Sequence, residues 1–177
     1  MKSTSGKDFF SINAPLGIDR YVDINYSSSV SSGKTLPFET TLLVKDRCLC
    51  LHVQRAARAL GRRFDEELRP FELTNGQFSL LMSLNRPEPP AMGPVASLLA
   101  MDRTTLTAAL KPLERRGLVK IAADTNDRRS RVLILTEKGR TLLARALPVW
   151  QRTHEEIEKL SPNIDWNLFR ENLRAVS

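Results

Sequence analysis

The chain has 177 residues and carries 27 Lys and Arg against 20 Asp and Glu, a formal net charge of +7. That length suits one domain plus an appendage around a real core, and the charge favours a polyanionic partner such as nucleic acid, without separating DNA from RNA or an anionic membrane. No apolar run approaches the ~18 residues of a membrane span, and the start, MKSTSGKDFFSINAPLG, lacks the apolar centre of a signal peptide, so we expect a cytoplasmic protein.

Residues 1 to 40 read as a flexible Ser-rich arm. Eight serines with Pro15, Gly17, Gly33 and Pro37 break any period, although Ile18 to Tyr26 could pair as a short strand. From Leu42 to about Leu68 the pattern is helical, with Leu49, Val53, Ala56, Ala57, Leu60, Phe64 and Leu68 on one stripe. Cys48 and Cys50 fall on this helix, pointing to different faces and poorly placed to bridge each other. Thr74 and Gln77 have capping-box spacing, and Leu73 with Phe78 that of a hydrophobic staple, opening a helix that takes Phe78, Leu81 and Met82 into the core.

A Pro-rich loop follows, and Pro94 suits the first turn of a short helix. The next helix has Asp102 as its N-cap, Arg115 and Arg116 in its last turn, and Gly117 just past its end. Leu118 to Ala122 and Arg131 to Leu135 read as two strands around a turn at Asp124 to Asp127. Thr136 then caps a long helix to about Leu160, and an amphipathic helix with Trp166, Phe169 and Leu173 closes the chain.

At 100° per residue, Leu106, Ala109, Leu110 and Leu113 share the buried face of the Asp102 helix. Thr104, Thr107, Ala108, Lys111 and Arg115 gather opposite, with Arg103 and Thr105 on the shoulders. A major groove admits one helix, and Thr, Arg and Lys are side chains that meet base edges and phosphates there. A mixed polar face is common on any surface helix, but the neighbouring hairpin shifts the balance. Arg128, Arg129 and Arg131 crowd its tip, where they repel one another and contribute little to folding. Such a tip suits a minor groove, whose negative potential attracts arginine, and Asp127 can hold the Arg129 guanidinium.

The stretches DRTTLTAALKPLERRGLV (Asp102 to Val119) and DRRSRVLILTEKG (Asp127 to Gly139) resemble MarR-family transcriptional regulators. Asp127, Arg129, Leu133, Leu135 and Thr136 match the family's wing signature, and the likeness covers about residues 42 to 175. The resemblance implies a mainly α fold with a small β-hairpin wing (α+β): a winged helix-turn-helix over residues 74–140, with dimerisation helices at 41–70 and 141–177. It implies a homodimer on a palindromic double-stranded DNA operator, and base and phosphate contacts at Arg103, Thr104, Thr105, Thr107 and Lys111. Ala108 departs from the Arg often found there, and Pro112 should bend the recognition helix locally. The apolar residues of the two terminal helices independently exceed what covering a small core needs.

Three switches come into view. Cys50 falls where hydroperoxide-sensing relatives keep a reactive cysteine, although Gln54 and Phe64 stand where those sensors have tyrosines. Cys48 and His52 share a helix face, but His154 is the only other histidine, so we assign no metal. By analogy with relatives that bind a small anionic or aromatic effector, His52, Arg55, Phe64 and Met82 are candidate pocket linings. We therefore expect a sequence-specific regulator, a repressor relieved by a ligand or by thiol oxidation, with no catalytic residues and no cofactor. The rivals are a thiol-dependent peroxidase using Cys50 and an architectural protein that binds DNA without sequence preference.

Overall fold

The computed structural model describes residues 35–124 and 130–177. These divide after Asp46 into two units. The first contributes most of α1 (Phe38–Arg47), which starts just after Pro37. The second holds α2 (Leu49–Leu68), a 3-10 turn (Arg69–Phe71), α3 (Asn75–Ser83), α4 (Met92–Leu98), α5 (Arg103–Arg115), a hairpin of β1 (Val119–Ala123) and β2 (Arg131–Leu135), α6 (Glu137–Lys159) and α7 (Trp166–Ala175). The expected strand at Ile18 to Tyr26 and the hairpin tip with Asp127, Arg128 and Arg129 lie outside the described residues.

The single helix expected from Leu42 is two. Cys48 is extended (φ −71°, ψ 100°) and caps α2, its Sγ accepting from the Leu51 N–H at 3.4 Å. Hydrophobic periodicity runs across this break because α1 and α2 both have helical periods. The expected α2 stripe is buried only at its C-terminal end: Phe64 and Leu68 are in the core, while Leu49, Val53 and Leu60 are 62%, 39% and 42% exposed. Among the described residues these three side chains are left partly uncovered.

The core is built where α3, α4, α5, the hairpin and α6 meet. Thr74 caps α3 reciprocally, accepting from the Gln77 N–H while the Gln77 side chain accepts from the Thr74 N–H, both at 3.2 Å. α3 buries Phe78, Leu80 and Leu81, whereas Met82 is on the surface, contrary to its expected core position. One residue along a helix is a 100° rotation, enough to turn Met82 away from the face that holds Leu81. In the antiparallel hairpin Val119 pairs with Leu135 and Ile121 with Leu133, so these four share the inner face. The Pro-rich segment before α4 is more than a loop: Ala91 bridges Val132, and the Leu133 N–H donates to the Pro90 carbonyl at 2.9 Å.

Helix α6 begins at a close approach. Thr136 Oγ1 accepts from the Gly139 N–H at 3.1 Å, and its own hydroxyl donates to the Gly117 carbonyl at 2.7 Å. Gly139 is buried here: a β-carbon would run into the Leu118 carbonyl and lie 2.7 Å from Leu135 Cδ1. Further along, α6 joins an aromatic cluster with α2 and α3. His154 lies 4.7 Å from the Phe64 ring and 4.1 Å from Trp150, which stacks on Phe78 at 5.9 Å. Burial pushes the His154 pKa below the usual histidine value; the Arg170 charge adds to this and Glu158 opposes it.

Two consequences can be measured. Gly139→Ala should lower unfolding stability by roughly 1–3 kcal/mol, the range for overpacking a close-packed site, and urea denaturation reads it directly. Unchanged stability would mean that the approach of α6 to Leu118 is loose. The lowered His154 pKa means that the folded chain favours the neutral ring. Its contribution is complete above the ordinary value near pH ~6.5 and is lost as pH falls through the folded value. Acidification from about pH 7 to 5 should therefore lower Tm more in the parent than in His154→Gln; equal slopes would contradict this.

Candidate nucleic-acid interface

The interface is built on α5. Leu106, Leu110 and Leu113 are fully buried, and because they recur every three or four residues they fix which side of the helix faces out. Arg103, Thr104, Thr105, Thr107, Ala108 and Lys111 are all exposed. The tight turn before α5 passes through Ala100 at φ 50°, a left-handed conformation uncommon for a residue with a β-carbon. The Met101 N–H then returns to the Ala96 carbonyl at 2.8 Å.

Asp102 locks the start of the helix. Its Oδ1 accepts from the Thr105 N–H and its Oδ2 from the Thr105 hydroxyl, both at 2.8 Å. The backbone bond first and the hydroxyl second hold its carboxyl below the usual aspartate pKa. The Thr107 hydroxyl donates to the Arg103 carbonyl at 2.7 Å. The hydroxyl protons of Thr105 and Thr107 are thus committed within the protein, and toward a base edge their oxygens are set up as acceptors. Such acceptors complement the exocyclic amino groups of adenine and cytosine in the major groove.

Pro112 lies within α5 without interrupting it, since the helix runs unbroken from Arg103 to Arg115. Its cost is the N–H that would have reached the Ala108 carbonyl. At the far end Gly117 takes φ 70°, as expected of a residue just past the helix. Beside α5 a groove of about 410 Å3 is lined by Met92, Gly93, Arg103, Thr107, Ser130 and Arg131, among others. It joins the start of α4 to the base of the hairpin. Met92 and Gly93 escape a reading of α5 and the hairpin alone, because the pairing of Pro90 and Ala91 with β2 is what brings that segment alongside the hairpin.

The other sequence candidates are not gathered together. His52, Arg55 and Met82 are exposed while Phe64 is in the core, so within the chain the four line no common cavity. Cys50 is exposed and Cys48 half-buried, both as free thiols. Among the described residues no group of three or more His, Cys, Asp or Glu is placed to hold a metal, and no helix is long and apolar enough to cross a membrane.

The model of the MarR family matches residues 73–130, from just before α3 to the residue before β2. The chain is 40% identical over 97 residues to the HTH-type transcriptional regulator TtmR of Methylorubrum extorquens, covering 55% of this chain and half the length of TtmR. It is 31% identical over 120 residues to the transcriptional repressor MprA of Escherichia coli, covering 67% of this chain and 65% of MprA. Among solved structures, the transcriptional regulator MosR of M. tuberculosis in complex with DNA is 35% identical, with a TM-score of 0.65 over 73% of this chain and 93% of MosR. With the helix-turn-helix and hairpin in the order described above, the chain belongs to the MarR family of transcriptional regulators.

Proposed function

We propose that this protein is a sequence-specific DNA-binding repressor that acts as a homodimer on a palindromic operator. The observation that carries this reading is the outward face of α5, where Arg103, Thr104, Thr105, Thr107 and Lys111 stand exposed over three fully buried leucines. Asp127, Arg128 and Arg129, which lie between β1 and β2 in the sequence and outside the described residues, are assigned to the adjacent minor groove. The DNA complex of MosR, with which the chain shares 35% identity, supports the same assignment.

Support for a homodimer comes from apolar surface left uncovered. Leu49, Val53 and Leu60 on α2 are matched on α7 by Leu168, Phe169 and Leu173, which are 52%, 44% and 37% exposed. A second copy would bury both faces, making 41–70 and 141–177 the dimerisation helices. Relief of repression is assigned to a small ligand or to oxidation of Cys50, whose thiol is exposed beside the uncovered α2 stripe. A shift of the dimer seam would then move the two recognition helices relative to the operator.

Lys111→Ala should weaken binding to a selected operator by roughly 1–3 kcal/mol, about five- to 150-fold, while leaving the thermal melt unchanged because Lys111 is exposed. Unchanged affinity in a fluorescence-anisotropy titration would remove α5 as the reading element. Peroxide should release the parent protein from the same operator and leave Cys50→Ser bound; continued release from the variant would clear Cys50 of that role.

A further inference from the structure

We propose that Ala108 makes α5 selective for thymine: its β-methyl meets the C5-methyl of a thymine in the major groove and so fixes a T·A pair in each half of the operator. This deepens the DNA-reading assignment above and rests on it. The placement comes from the leucines. At about 100° per residue, Ala108 lies within roughly 15° of the direction opposite the mean of Leu106, Leu110 and Leu113, which are fully buried. It is therefore the outermost position of the middle turn of α5. A helix that enters the groove with its leucines in the core brings this residue nearest the base edges.

The chemistry at that position differs from its surroundings. Among the exposed side chains of α5, Ala108 alone has no polar atom. Thr104 and Lys111 adjoin it one turn to either side, and Thr107 precedes it, all exposed. An alanine side chain can neither donate to guanine nor accept from cytosine, so hydrogen-bond readout is closed to it. Apolar contact is what remains, and of the four bases only thymine offers a methyl group to the major groove. Because Ala108 is short, it also lets the backbone lie close to the base edges, where a long side chain would hold the helix off.

Thr107 sharpens the choice. Its hydroxyl donates to the Arg103 carbonyl at 2.7 Å, so toward DNA its oxygen is an acceptor only. A T·A pair carries both complements, the methyl of thymine and the amino donor of adenine, whereas C·G carries an amino donor and no methyl. Asp102 holds the first turn, its carboxylate accepting from the Thr105 N–H and from the Thr105 hydroxyl, both at 2.8 Å. The helix that carries Ala108 is thus set before DNA arrives.

The test titrates the full chain, by fluorescence anisotropy, with an operator duplex selected from random DNA. It is repeated with duplexes in which one thymine per half-site is replaced by deoxyuridine, which removes the methyl and nothing else. At one symmetric pair of positions the replacement should weaken the parent about fourfold per half-site, the worth of one buried methyl group. Cytosine at that position should also weaken binding, and 5-methylcytosine there should recover about the same fourfold. In Ala108→Gly the deoxyuridine replacement should leave affinity unchanged. That ratio compares two duplexes on one protein, so a weaker helix in the variant cancels, and Ala108→Ser reads the same ratio if the glycine variant does not fold. A methyl effect that persists undiminished in the variant, or no recovery with 5-methylcytosine, overturns the contact. A selected operator indifferent to every thymine methyl overturns the thymine contact alone, whereas failure to select any operator overturns sequence-specific reading and this contact with it.

Discussion

Everything proposed for this protein depends on the burial of Leu106, Leu110 and Leu113. A helix has no free choice of faces: once three leucines at spacings of four and three are sealed in the core, the residues between them must face out. The interface is therefore set by apolar contacts with α4 and the hairpin rather than by the polar side chains themselves. Each buried leucine contributes about 1.5–3 kcal/mol, while the exposed polar residues contribute little to folding. The polar face can accordingly be tuned for recognition without endangering the fold.

The ends of that helix are held differently. Asp102 closes the N-terminus with a charged acceptor, fixing the register of the first turn that carries Arg103, Thr104 and Thr105. The C-terminus is held by a knot of backbone contacts. Arg116 reaches the 3-10 turn, Lys138 returns to the Arg116 carbonyl, Thr136 bonds Gly117, and Gly139 lets α6 lie against Leu118. The recognition helix thus meets both the turn after α2 and the first turn of α6 at its C-terminal end. A signal arriving from either has a mechanical route to α5.

Local chemistry was legible in the sequence wherever a residue type has one strong local use. Thr74 with Gln77, Asp102, Gly117 and Thr136 each announced a helix end, and each stands where that chemistry requires. Legibility failed where two environments write the same pattern. The α2 stripe reads alike whether its own chain or another molecule covers it, so periodicity did not show that only Phe64 and Leu68 are covered internally. The break at Cys48 was hidden because helical apolar spacing continues on both sides of it. Met82 missed the core by one position of rotation. The pairing of Pro90 and Ala91 with β2 lay beyond sequence reasoning, since prolines signal a loop and give no sign of which strand they border. The need for glycine at 139 rests on a close approach to Leu118, some twenty positions away, which no local motif encodes.

The central claim is that two copies of α5, held by the uncovered faces of α2 and α7, read one duplex together. Hydroxyl-radical footprinting on a duplex selected from random DNA tests it most directly. The account predicts two-fold symmetric protection in two blocks, centred about one helical turn apart, roughly 34 Å. One isolated block, or equal protection of a random duplex, would contradict it.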